Sequence, residues 1–236
     1  MPTGREAILG RIREALKLSA PMPGDHGPSS EPNGDHPHAP AGSPAEIRHW
    51  LPAVGATWEE NAQLFARNST DLKTQFLRVA NPAAAHQALK DLAASEKWSR
   101  VAFHQTPLIG AAVAAIGLPT LETVAGYDVN ELERCDVGIS ACDCLIAQTG
   151  TILLTATSGG GRALSVLPPH HVVIATRAQL LPDLSSGYEL LARIHGKTMP
   201  SFITLITGPS RTGDIERILV LGAHGPKKLT VVLIEE

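Results

Sequence analysis

At 236 residues, 43% of them hydrophobic and 18% charged, the chain can bury one sizeable core and carry a small helical appendage. A formal charge of −3 with basic residues scattered along the chain leaves no concentrated positive field, which argues against DNA or RNA as a partner. The opening MPTGREAILGRIREALKL has no apolar core of signal-peptide type, and no stretch approaches the roughly 18 apolar residues of a membrane helix, so a cytoplasmic protein without a membrane span is expected.

Residues 5–18, REAILGRIREALKL, place Ile8, Leu9, Ile12, Leu16 and Leu18 on one helical face, which predicts an amphipathic N-terminal helix over 1–18 in need of a partner surface. Residues 19–44 are rich in Pro, Gly, Ser, His and Asp with little to bury, and read as a flexible linker whose His26, His36 and His38 are solvated. The main domain is expected over 45–236. From Ala45 to about Trp98 the pattern is helical as far as Val79, breaks at Asn81-Pro82, and resumes with Pro82 in a first turn, so two or three helices are predicted before any strand.

Short β-branched runs follow: RVAFH, DVGISA, TGTILLTA, HHVVIAT, SFITLITG, RILVLG and LTVVLIE. Helical stretches such as PLIGAAVAAIG and PDLSSGYELLARIH separate several of them. Strands alternating with helices predict an α/β fold, a three-layer α/β/α arrangement around a mostly parallel sheet. The group from Asp136 to Thr176 leaves little room for crossover helices, so some antiparallel pairing or a β-arm is expected there. The glycine-rich residues near 155–162 could form a projecting dimer arm, which would make the protein a homo-oligomer.

Cys135, Cys142 and Cys144 are too few and too close for a disulfide framework and lack the spacing of common zinc sites, so buried thiols are expected and no metal ligands. His170 and His171 alternate across one strand and cannot easily both serve one site, so at most one is expected to face a cleft.

The densest run of chemistry begins at Thr207. Ser201 to Thr207 reads as a buried strand leading into a turn at what would be the carboxyl end of a parallel strand, where open α/β sheets bind ligands. In that turn Gly208 and Gly213 let backbone amides approach an anion, Ser210 and Thr212 can donate hydrogen bonds, and Arg211 can pair with a carboxylate or phosphate. Asp214 and Glu216 follow as candidate acid or base groups, or as solvated capping residues. His224, set in Gly222-Ala223-His224-Gly225-Pro226, is a candidate general acid or base and Gly225 a close-approach position; an ordinary turn histidine fits equally well. Thr149, Gly150 and Thr151, then Arg162 after the glycine run, offer two hydroxyls, a tight turn and a second cationic clamp. Neither GxxxxGK[ST] nor GxGxxG in its proper context is present, and no GxSxG elbow supports nucleophilic serine chemistry.

IAQTGTILL, RALSVLPPHHVVI and TGPSRTGDIERILVLGAHGPKKL together resemble the lactate-utilisation (LUD) domain family, in detail from about Cys135 to the C-terminus. The GDIE and HGP pair, in this order and spacing, is the specific part of the match. The resemblance implies a fold similar to the phosphosugar isomerase and CoA-transferase superfamily. It also implies a role with two iron–sulfur partner proteins in oxidising L-lactate to pyruvate. This chain lacks CxxCxxC runs and would be the cluster-free component, binding a small anionic molecule. By the same resemblance Thr149, Gly150, Thr151, Arg162, Gly208, Ser210, Thr212, Gly213, Asp214, Glu216, His224 and Gly225 fall at the family's motif positions. Two other readings stay open at this point: a non-catalytic assembly protein that docks on the iron–sulfur partners, and a stand-alone enzyme of the CoA-transferase or phosphosugar-isomerase kind, suggested by fold analogy alone.

Overall fold

The computed structural model describes residues 52–212, 220–221 and 224–236, together with Glu14, which is helical and exposed. The chain divides into two units, 1–50 and 51–236. The expected N-terminal helix and linker, and the segment 213–219, therefore lie outside the described residues.

The first described helix, α1 (Trp58–Asp71), starts on a capping box. Thr57 accepts from the Glu60 amide at 3.2 Å and the Glu60 carboxylate accepts from the Thr57 amide at 2.9 Å. Thr57→Ala is expected to cost about 1 kcal/mol, read as a lower denaturation midpoint with unchanged slope. Asn61, Ala62, Phe65 and Ser69 form the buried stripe of α1. The helical pattern was expected to run on to Val79, but α1 stops at Leu72, Lys73 adopts a left-handed φ of 66°, and Gln75–Val79 becomes strand β1. Parallel pairing of β1 with β12 (Lys228–Ile234), far along the chain, overrides the local helical pattern. Within residues 52–74 a single helix precedes the first strand.

Helix α2 (Pro82–Glu96) is capped by Asn81 with Pro82 in its first turn, as expected, and ends at Lys97. It leads to β2 (Val101–Phe103), α3 (Pro107–Ile116), β3 (Thr120–Glu122), α4 (Val129–Glu133) and β4 (Val137–Ser140). No helix follows β4: β5 (Cys144–Ile146) and β6 (Thr151–Thr155) form the antiparallel pair that the close spacing predicted. Then come β7 (His170–Thr176), β8 (Leu180–Leu181), α5 (Leu184–His195), β9 (Ile203–Ile206), and the short β10 (Arg211–Thr212) and β11 (Val220–Leu221), which pair antiparallel before β12.

The main sheet is parallel throughout, six strands in the order β1-β12-β7-β4-β2-β3. Its central strands are buried on both faces, which explains their unbroken β-branched runs. Val137, Ile139, Val172, Ile174, Val232 and Ile234 face α2 and α3. On the other face Val173, Ala175, Val231 and Leu233 pack against Phe65 of α1 and Leu145, Ile152 and Leu154 of a second, mixed sheet ordered β8-β5-β6-β9. Helix α5 covers the far side of that sheet through Leu191 against Cys144, Ile146 and Leu153. The expected three-layer α/β/α sandwich is thus corrected to an α/β fold in which a mixed sheet, together with α1, takes the place of the second helical layer. The β4-to-β7 connection spends its length on a hairpin. No described helix is long and apolar enough to cross a membrane.

Candidate functional site

The strand β9 that feeds the candidate loop is not a buried parallel strand. It pairs antiparallel with β6 as the last strand of the mixed sheet, with Ile203 and Leu205 exposed. The loop beyond it lies by the amino ends of β7 and β12, because the Ser210 amide donates to Pro226 O at 2.9 Å and the Lys227 amide donates to Pro169 O at 2.8 Å. The expected position at the carboxyl ends of parallel strands is therefore overturned.

The loop nevertheless meets part of the set expected with it. Gly208, Ser210, Arg211, His224 and Gly225 line one cavity of about 390 Å³. Gly208 has φ +93°, and a Cβ there would stand 3.0 Å from Leu72 O, so the turn needs a residue without a side chain. A Cβ on Gly225 would stand 3.2 Å from the Ser210 Cβ, which measures how closely the two loops pack. Arg211 is exposed and its guanidinium makes no hydrogen bond or ion pair among the described residues; His224 is exposed beside it. Thr212 lies in β10. Gly213, Asp214 and Glu216 lie outside the described residues.

Thr149, Gly150 and Thr151 do not line this cavity. Gly150, at φ +63°, is required by close approach to α1, since a Cβ there would stand 2.8 Å from the Asn68 Cβ. Asn68 fastens the turn by donating to Ala147 O at 2.8 Å and Gln148 O at 3.1 Å. A chain of hydroxyls links the turn to the cleft: Thr149 to Thr151 at 2.7 Å, and Thr151 to Thr207, a cavity residue, at 2.8 Å. Arg162 also stands apart from the cavity, exposed and donating to Ser201 O at 2.8 Å. The cavity residues that sequence reasoning missed include Ser165, Phe202, Thr204, Thr207 and Pro226. Exposure alternates along β9 with Phe202, Thr204 and Ile206 on the more buried side, but the residues of SFITLIT do not alternate in polarity, so the sequence carried no signal for them.

At the opposite, carboxyl end of the main sheet, the glycine-rich residues fold down rather than project. Gly159 and Gly160 are buried, and a Cβ on Gly160 would fall 2.4 Å from the His104 Cβ and 2.7 Å from the Thr123 Oγ1. Asp143 holds the base of this loop, accepting from the Thr155 amide at 2.7 Å and the Ser158 hydroxyl at 2.5 Å. The expectation of a projecting dimer arm is corrected: these glycines allow close packing on the ends of β2 and β3.

The two adjacent histidines are buried on opposite faces of β7, and neither lines the 390 Å³ cavity. His171 Nε2 lies 2.9 Å from the Ser140 Oγ, and burial pushes its pKa down to about 3. With both side chains sealed from solvent, this serine and histidine cannot reach a substrate. The three cysteines are buried thiols, as expected. Burial drives Cys142 well above the usual thiol range and Cys144 up to about 12, so neither offers a thiolate at neutral pH.

A family model described as LUD domain matches residues 62–234. Curated relatives include lactate utilization protein C of Halalkalibacterium halodurans, 37% identical over 110 residues, which are 46% of this chain and 48% of that protein. The protein of the same name from Bacillus subtilis is 32% identical over 46% of each chain. The chain thus spans about half the length of these two relatives. Against lactate utilization protein C of an Exiguobacterium species the match is 27% identical and extends over 99% of this chain and 97% of the relative. Among solved structures, a DUF162 family protein from Deinococcus radiodurans superposes with a TM-score of 0.62 at 23% identity, covering 76% of this chain and 99% of that one, a likeness of fold.

Proposed function

The chain belongs to the LUD domain family, and from that premise we propose that it is the cluster-free component of a cytoplasmic L-lactate utilisation system, holding a small carboxylate between the loop after β9 and the loop before β12. The observation that carries this reading is the convergence of Gly208, Ser210, Arg211, His224 and Gly225 on one cavity of about 390 Å³. A guanidinium forms two parallel hydrogen bonds to a planar carboxylate, and that of Arg211 has no partner among the described residues. Ser210 supplies a hydroxyl for the neighbouring oxygen of a 2-hydroxy or 2-keto acid. His224 is the candidate for proton transfer, with Asp214 and Glu216 as carboxylates from the intervening segment. In this reading the two electrons released as L-lactate becomes pyruvate pass to iron–sulfur partner proteins. Relatives named lactate utilization protein C support that setting.

Calorimetric titration with L-lactate and with pyruvate tests the proposal. Wild-type protein is expected to bind at least one of them, and Arg211→Ala to weaken that binding about 10- to 100-fold, the loss of a charge-assisted pair. Binding of neither acid, or equal binding by the variant, refutes the carboxylate site. If deletion of residues 1–18 then abolishes lactate-dependent growth, the protein acts by docking.

A further inference from the structure

A second cavity lies at the amino ends of β1, β12 and β7, about 140 Å³ in volume and lined by Lys73, Gln75, His170, Lys227, Lys228, Leu229 and Thr230. In a chain of net charge −3, three of the residues that line it are lysines and none is acidic. Only Lys228 is paired, with Glu96 of α2, among the described residues. Lys73 and Lys227 have no ion-pair partner there, so two of the three lysines are left to meet an anion.

The backbone holds the lysines in place. Lys73 occupies the left-handed region at φ 66°, a conformation that strains a lysine and that Gly would adopt freely. The Lys227 amide is tied to Pro169 O at 2.8 Å. The floor is fixed as well: the Thr230 hydroxyl donates to Gln75 Oε1 at 3.1 Å, so its lone pair receives His170 Nε2–H at 2.8 Å. Trp98 packs edge-on against the same imidazole, with ring centroids 5.4 Å apart. His170 is only 4% exposed and its Nδ1 has no partner. The amide nitrogen of Gln75 makes no hydrogen bond among the described residues and is a further donor at the rim.

We propose that this lysine-rimmed cavity binds a phosphate group, free or as a monoester. A lysine ammonium is a compact point charge with three rotatable donors, and the two uncommitted here, Lys73 and Lys227, suit a tetrahedral, multiply charged oxyanion. A planar carboxylate is matched by a guanidinium fork, and the cavity has none. The volume admits one phosphate and leaves a monoester's organic part outside. The site is separate from the cleft around Arg211 and does not rest on the function proposed for it.

The test is calorimetric titration of the full chain with inorganic phosphate and, in a second arm, glycerol phosphate, at ionic strength held constant with sodium chloride. Saturable binding of at least one is expected; the tighter of the two shows whether the natural ligand is the free anion or an ester. The Lys73→Ala/Lys227→Ala double variant is expected to bind at least tenfold more weakly, while Arg211→Ala binds as wild type. Lys73→Gly separates recognition from folding, because it relieves the backbone and is expected to unfold no earlier than wild type while still binding phosphate more weakly. Absence of saturable binding in both arms, or undiminished binding by the double variant, overturns the proposal. A loss confined to Arg211→Ala overturns it too, by assigning the phosphate to the other cleft.

Discussion

Acidification from pH 7 to pH 4 is expected to cost the domain several kcal/mol of stability, and two adjacent histidines account for most of that loss. Burial holds the pKa of His170 at about 4 and that of His171 at about 3, against 6.5 in an open chain. Lys228 pushes His170 down further while Glu96 opposes it, and His170 disfavours a second charge on His171. Below pH 6.5 the unfolded chain takes up protons that the folded chain refuses, so the equilibrium moves toward unfolding. The full stability is present above pH 6.5 and declines as the pH falls through the interval to about 4 for His170 and about 3 for His171. Each histidine contributes a slope of about 1.4 kcal/mol per pH unit within its interval. The paired carboxylate of Glu59, held at about 2 chiefly by its hydrogen bond from Arg78, acts in the same direction but at lower pH. Urea denaturation at pH 7, 6, 5 and 4 measures the effect. His171→Gln, which keeps a polar group near the Ser140 hydroxyl, is expected to be less stable at pH 7 and to lose about half of the acid slope. An unchanged slope in that variant would show that His171 is protonated in the folded protein and that the burial argument fails.

How much of this structure could be read from the sequence depended on whether a residue's role was local. Strands β4, β6, β7 and β12 announce themselves as β-branched runs because most of their residues are buried on both faces. QFLRV does not, because β1 is half exposed, continues the helical pattern of α1, and owes its conformation to pairing with β12. The turn between them carries Lys73 rather than the Gly that would have signalled it. Pro82 and Asn81 marked α2 correctly because capping is chemistry within a few residues. The cleft divided along the same line. Gly208 with Arg211 and His224 with Gly225 were each legible as turns with ligand-suited side chains, and the structure brings them to one cavity. Gly150 and Gly160 were equally legible as glycines, yet they serve contacts with Asn68 and His104 that no sequence spacing reveals. A glycine needed for approach to a neighbouring side chain reads the same as one needed for approach to a ligand.

That ambiguity can be settled at the glycine run itself, where Gly160→Ala is expected to destabilise the domain by about 2–5 kcal/mol. Two effects add. Gly160 has φ +68°, which costs a residue with a Cβ about 1–2 kcal/mol. The new methyl would also lie 2.4 Å from the Cβ and 2.6 Å from the Cγ of His104, the root of that side chain rather than its movable end. His104 or the loop must therefore shift, and overpacking of this kind costs about 1–3 kcal/mol. Gly161 provides the internal control, since it has φ +98° but open space where a Cβ would stand. Gly161→Ala is expected to show the backbone cost alone. The difference between the two midpoints in urea thus measures how tightly the loop is pressed onto the ends of β2 and β3. If the loop instead projected as an arm toward another subunit, the two variants would cost the same as monomers, and Gly160→Ala would lower the mass seen by light scattering. A larger loss for Gly160→Ala at unchanged mass would place the function of these glycines inside the domain, as a latch over His104 and Thr123 held from below by Asp143 and Ser158.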